Sequence, residues 1–299
     1  MTATLARPAT ATATATVTAT TDALGPLLRD WRARRRRSQM DLALDVGVSP
    51  RHLSFLETGR ARPSAAMVLA LAEGLDLPLR ERNRLLLAAG YAPRYPEHAL
   101  DAAGMAQVRA ALQRLLDAHA PNPGLVVDRQ WNVVLANAPA AALAALLPEH
   151  LRSPAMNVYR ASLHPDGLAA RTANFRDWAP HLLDQLHRSV ASTGDAGLAA
   201  LEREVLAYPG IANLAAGASP GASPGGSAPG SPSAASPSAG AAPTLLLPMD
   251  LDLPAGRVSL FTTLTTFGTP RDVTLDELCV ELFYPADDAS SALLRRMAP

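Results

Sequence analysis

The sequence contains no lysine; all 27 of its basic residues are arginine. With so much Ala, Pro and Gly beside it, that bias reads as the composition of a GC-rich genome rather than as a functional signature. There is one cysteine, Cys279, which excludes an internal disulfide and suits a reducing compartment. Aromatic residues make up only 4% of the chain, so a core must rest on aliphatic side chains, which the 48% of apolar residues can supply. No apolar run approaches the roughly 18 residues of a membrane-spanning helix. The first residues, "MTATLARPATATATATVTATT", lack the central apolar block of a signal peptide. A cytoplasmic location away from membranes is therefore expected. Glycine-rich phosphate loops, a GxSxG elbow and a Cys/His cluster are missing too, and His181 and His187 are too far apart for a helical metal pair. No catalytic residue, metal or cofactor is expected.

What is present divides unevenly. The net charge is zero, but residues 22–95 carry 13 Arg against 8 acids, and those from 96 onward 13 against 19. A basic front and an acidic back point to a polyanionic partner for the front alone. The length of 299 residues suits about two domains. Residues 1–21 read as a disordered tail, 22–91 as a helical domain, 92–104 as a proline-punctuated linker, and 105–299 as a second domain. Within the last, residues 211–243 collapse into Ala, Gly, Ser and Pro and are expected to form a disordered loop, having too few bulky side chains to offset ordering entropy.

The front shows five short helical patterns. Leu24, Leu27, Leu28 and Trp31 mark the first stripe. Ser38, Ser49 and Ser64 stand where helices begin, Gly47 and Gly59 where they end, and Pro50 occupies a first helical position. On a helix from Ser49 to Thr58, Leu53 and Leu56 set the core direction, and Arg51, Ser54, Phe55 and Thr58 fall opposite, with Pro50 and His52 at the edges. A short turn after a glycine-ended helix completes the helix-turn-helix layout, whose second helix enters the DNA major groove. Arg51 can donate two hydrogen bonds to guanine, Ser54 can reach either kind of base, and Phe55 can pack on a thymine methyl group or, alternatively, belong to the core. Gln39, Arg60 and Arg62 sit where phosphates pass, and Arg34 to Arg37 add general attraction.

The segment "RRRRSQMDLALDVGVSPRHLSFLETGRARPSAAMVLALAEGLDLP" resembles the helix-turn-helix of the XRE (phage-repressor-like) family, in Gln39, Leu42-Ala43, Gly47-Val48-Ser49, Leu53-Ser54, Glu57, Gly59 and Pro63-Ser64. It departs at Pro50 and Phe55, where polar base-reading residues are usual. With "LPLRERNRLLLAAGYAPRYPE", "VVDRQWNVVLAN", "SLHPDGL", "LAYPG", "FGTPRDVTLDEL" and "FYPAD", the chain resembles the MmyB-like transcription regulators. The resemblance implies an all-α helix-turn-helix head of five helices followed by an α+β PAS-like domain that binds a fatty-acid-like ligand.

In the back half, "LVVDRQWNVVLAN" reads as two strands, "TLLLPMDLDL" and "RVSLFTTLTTF" as a hairpin and "LCVELFYP" as a further strand, gathered into one antiparallel sheet. Asn137 is placed to cap the short helix after the second strand. Apolar lining for a ligand is available from Leu143, Leu146, Met156, Val158, Leu182, Leu186, Leu260, Leu264, Phe267 and Phe283, though each can equally be core. Asn157, Arg160 and His164 share a helical face, where Arg160 either clamps a ligand carboxylate or forms a helix-packing ion pair. Asn174 and Trp178 form either a second polar wall or a capping arrangement. The reading is a ligand-responsive, dimeric regulator of a double-stranded DNA operator. A protein-interaction module with an antitoxin-like helical head is its rival.

Overall fold

The computed structural model describes residues 23–217 and 246–297. The tail expected over 1–21 and most of the loop expected over 211–243 lie outside the described residues. The chain forms two compact units, one running to Leu77 with Glu81–Arg94, the other made of Pro78–Arg80 and the chain from Tyr95.

Residues 24–88 form five helices: α1 (Leu24–Arg34), α2 (Gln39–Val46), α3 (Pro50–Glu57), α4 (Ala65–Gly74) and α5 (Leu79–Ala88). Their starts follow from local chemistry. The hydroxyl oxygens of Ser38, Ser49 and Ser64 accept from the backbone N–H three residues on, and Asp41 completes a capping box on Ser38. Gly47, at φ 74°, closes α2 in a left-handed conformation that a side chain would strain. Leu28, Trp31, Leu42, Leu53, Leu56, Leu71 and Leu86 meet in one core, each worth about 1.5–3 kcal/mol of burial. Close packing of α1 on α3 depends on Gly25, where a Cβ would lie 2.4 Å from the Glu57 carbonyl oxygen. Met40, on α2, is 60% exposed.

In the second unit a 3-10 turn leads into α6 (Ala106–Ala118), then β1 (Gly124–Val127) and β2 (Val133–Ala136). Helices α7 (Ala138–Ala144), α8 (Glu149–Arg152), α9 (Val158–Leu163), α10 (Phe175–Thr193), α11 (Ala196–Leu206) and α12 (Pro209–Gly217) follow. The chain ends through β3 (Met249–Leu253), β4 (Gly256–Thr266), α13 (Val273–Glu277), β5 (Cys279–Pro285) and α14 (Asp288–Met297). The five strands form one antiparallel sheet in the order β2-β1-β5-β4-β3. This is the expected α+β arrangement with an antiparallel sheet. Residues 211–217 are helical, contrary to the expected loop, because Ile211 is buried against Leu201 and Val205.

Strand alternation divides the labour of β5. Val280 packs with Val126, Leu112 and Leu116 on the α6 side. Cys279 and Phe283 turn to the other side, toward Leu125, Val127 and Val158. Glu281 shares that second face, and its register partners are Leu125 on β1 and Leu264 on β4.

Candidate functional site

The first unit presents α3. Its inner side is spent on Leu53 and Leu56, at 0% and 1% exposure. Ser49, Pro50, Arg51, Arg60 and Arg62 are exposed, and His52, Ser54 and Phe55 half-buried. The Arg51 guanidinium lies 5.4 Å from the Phe55 ring centroid, so a cation and an aromatic face sit together on the outer side of the helix. Phe55 is thus absent from the core cluster that holds Leu53 and Leu56.

The last residue of α3 is Glu57, which the sequence pattern marks without explaining. Its carboxylate is buried and accepts from Arg32 Nε at 2.6 Å and Arg32 Nη2 at 2.9 Å. Gln39 Nε2 adds a third bond at 2.8 Å, and Arg29 Nη2 donates to the Glu57 carbonyl oxygen at 3.3 Å. Burial raises the carboxyl pKa, but the hydrogen bonds from Arg32 and Gln39 and the charges of Arg32 and Arg29 outweigh it, and the net direction is down. Gln39 therefore works first as a brace between α2 and α3, since the amide nitrogen expected at a phosphate is already engaged. Within the arginine run, Arg35 donates to the Leu75 and Asp76 carbonyl oxygens and Arg37 pairs with Asp45; Arg34 and Arg36 stand exposed.

The second unit encloses a cavity of about 280 Å³ between the sheet and helices α7, α9 and α10. That volume is near the small end of ligand sites. From α10 it takes Trp178, His181, Leu182 and Gln185, which recur at helical spacing. Of the lining expected from sequence, Leu143, Met156, Val158, Leu182, Leu260 and Phe283 are in the wall; Leu146, Leu186, Leu264 and Phe267 are not.

Of the two arrangements expected at the polar face, the helix-packing ion pair is the one present. Asn157, Arg160, His164 and Asn174 do not line the cavity; Trp178 does. Helix α9 begins only at Val158, so buried Asn157 is its cap, accepting from Tyr159 and Arg160 N–H while donating to the Gln130 carbonyl and Asn132 Oδ1. The Arg160 fork is filled by Glu204, at 2.8 and 2.7 Å, with Tyr208 donating to the same carboxylate. His164 lies past the end of α9 in extended conformation and stacks edge-on against Tyr208. Asn174 makes no cap; it ties β3 by donating to the Pro248 carbonyl and accepting from Asp250 N–H. Asn137 does cap α7, and it also bridges Gly124, Leu116 and Asn122.

One acidic residue in the cavity wall escaped the sequence reading. Glu281 is 7% exposed, and its Oε2 is buried without a hydrogen-bond partner. Burial pushes its carboxyl up to about 7 from 4.5. Burial, and then the neighbouring Glu281, push the Cys279 thiol up to about 11, which leaves it a poor nucleophile at neutral pH. Elsewhere, His150, His164 and Asp166 bring potential metal-ligand atoms within 4.8 Å of one another, although His164 Nδ1 already accepts from Asp166 N–H. The signal for Glu281 was local, in strand alternation, whereas that for the His–His–Asp trio was tertiary, in the return of the chain.

Among the described residues no helix is long and apolar enough to cross a membrane. A family model described as the MmyB-like transcription regulator ligand binding domain matches residues 108–297, and one described as a helix-turn-helix domain matches residues 23–85. Similar curated proteins include uncharacterised HTH-type transcriptional regulators of Mycobacterium bovis and Mycobacterium tuberculosis. Each is 40% identical over 68 residues, which is 23% of this chain and 27% of the relative. The chain thus covers about a quarter of the length of the curated relatives it matches.

Proposed function

The chain belongs to the MmyB-like transcription regulators, with a helix-turn-helix region for DNA and a ligand-binding domain behind it, and from that premise we propose a sequence-specific regulator, cytoplasmic and dimeric, whose operator affinity responds to a small apolar molecule in the α10 cavity. The observation that carries the DNA half is the outer face of α3. Arg51 reads a base edge, Ser54 and Phe55 contribute beside it, and Ser49, Pro50 and His52 approach the backbone at the helix start. Arg60 and Arg62 meet phosphates from the exit loop, and Gln39 contributes through whatever capacity its bond to Glu57 leaves. Dimerisation follows from the small footprint of one such helix, which paired half-sites double.

The sensing half is supported by a cavity walled largely by aliphatic and aromatic side chains. A ligand there would act by population shift, favouring one operator-binding state over another. Selection of an operator followed by comparison of wild type with Arg51→Ala tests the first half. Discrimination between selected and scrambled duplexes should fall by about 1–3 kcal/mol at fixed salt. Unchanged discrimination would remove Arg51 from the readout.

A further inference from the structure

Glu281 holds its place through strand geometry. On β5 the side chains of Cys279, Glu281 and Phe283 share the face opposite Val280, and both Glu281 and Phe283 stand in the cavity wall. A carboxyl here gives up its water, and no donor among the described residues reaches its Oε2. An unpaired buried acceptor is costly, and an apolar residue of similar size would avoid that cost. The remaining lining residues with polar side-chain atoms are Ser162, Trp178, His181, Gln185 and Thr262; none of the described lining residues is an arginine. Among the titratable and charged groups nearby, the Tyr159 hydroxyl and the Cys279 thiol feel the Glu281 charge, Arg188 acts on the same Tyr159, and His181 is also in the cavity wall. Among the described lining residues the buried acceptor without a partner is the Glu281 carboxyl and none is a guanidinium, so the wall suits a donating head better than an anionic one.

We propose that the cavity selects an apolar molecule ending in a hydrogen-bond-donating head, a primary amine ahead of an alcohol, and that the Glu281 carboxylate accepts from that head. The inference rests on the sensing role of the cavity and specifies its chemistry. An ammonium would supply both the missing hydrogen bond and the missing counter-charge. A carboxylate ligand would meet a like charge whenever Glu281 is ionised.

Calorimetric titration of the full chain with octylamine, octanol and octanoate near pH 8 tests this. Octylamine should bind about tenfold or more tighter than octanoate, a difference of about 1.4 kcal/mol. Glu281→Gln should abolish that preference and leave octanol within a few-fold of wild type. Octanoate binding best to both proteins would overturn the role of Glu281 while leaving the sensing role standing. No binding of any of the three to folded wild type would overturn both. Should Glu281→Gln fail to fold, the wild-type affinity for octylamine decides: it should tighten between about pH 6 and pH 8 as the carboxyl ionises, and a flat profile would overturn the proposal.

Discussion

Glu57 and Glu281 are both buried acids on the inward side of their elements, one in each unit, yet their surroundings differ in kind. Glu57 receives Arg32, Gln39 and Arg29, and its carboxyl is held below the ordinary value despite burial. Glu281 receives nothing at Oε2, and burial alone pushes it up to about 7. The first is a brace whose charge is matched inside the fold. The second has no partner at Oε2 among the described residues, which is what the proposed ligand head would supply. The contrast separates a carboxylate that braces the helix-turn-helix frame from one whose proposed role is to accept from a ligand.

The largest effect expected from this contrast is that of Glu57→Ala. Removing one member of a buried, hydrogen-bonded ion pair strands Arg32, whose side chain is only 16% exposed, and costs about 3–5 kcal/mol. Faster amide exchange in α1 and α3 with β5 unaffected would report it. Normal protection of α3 in the variant would show that the brace is not needed. Because the folded pKa of Glu57 is depressed, its stabilisation is present above about pH 4.5 and is lost as pH falls through the folded value.

Glu281 has the opposite sign. Its folded pKa lies above the unfolded value, so the folded state binds more protons between pH 4.5 and about 7. The associated stability is present below that window and is lost as pH rises through it, on the order of 3 kcal/mol. Glu281→Gln should flatten this slope in the second unit, so the variant matches wild type near pH 5 and exceeds it near pH 8. Denaturant midpoints at the two pH values measure it. A variant that still weakened with rising pH would place the titration elsewhere.

The helix frame of the head was legible because caps are local chemistry: Ser38, Ser49, Ser64 and Gly47 each announce a boundary within four residues. The hairpins were legible for the same reason, through alternation and the intervening turns. The polar surroundings of α9 were not. Placing Asn157, Arg160 and His164 on one face assumed a continuous helix, whereas α9 spans only Val158–Leu163. Its cap takes Asn157 and its end releases His164. The partner of Arg160 lies 44 residues away, beyond any local pattern. Glu281 could have been found by continuing the period-two count through "LCVELFYP", which puts a lone acid between Cys279 and Phe283 on the face turned to Leu125, Val127 and Val158.

The smallest expected effect separates the two candidate anchors directly. Arg160 and Glu204 form a partly exposed pair, with side chains 42% and 39% accessible, so Arg160→Ala should cost less than about 1 kcal/mol of stability. Since Arg160 does not line the cavity, the variant should bind octylamine with wild-type affinity, where Glu281→Gln does not. A loss of octylamine binding in Arg160→Ala with α9 intact by amide exchange would return the anchor to the helix face where the sequence pattern first placed it. Retained binding leaves Arg160 as a strut between α9 and α11, and confines recognition of the ligand head to the strand.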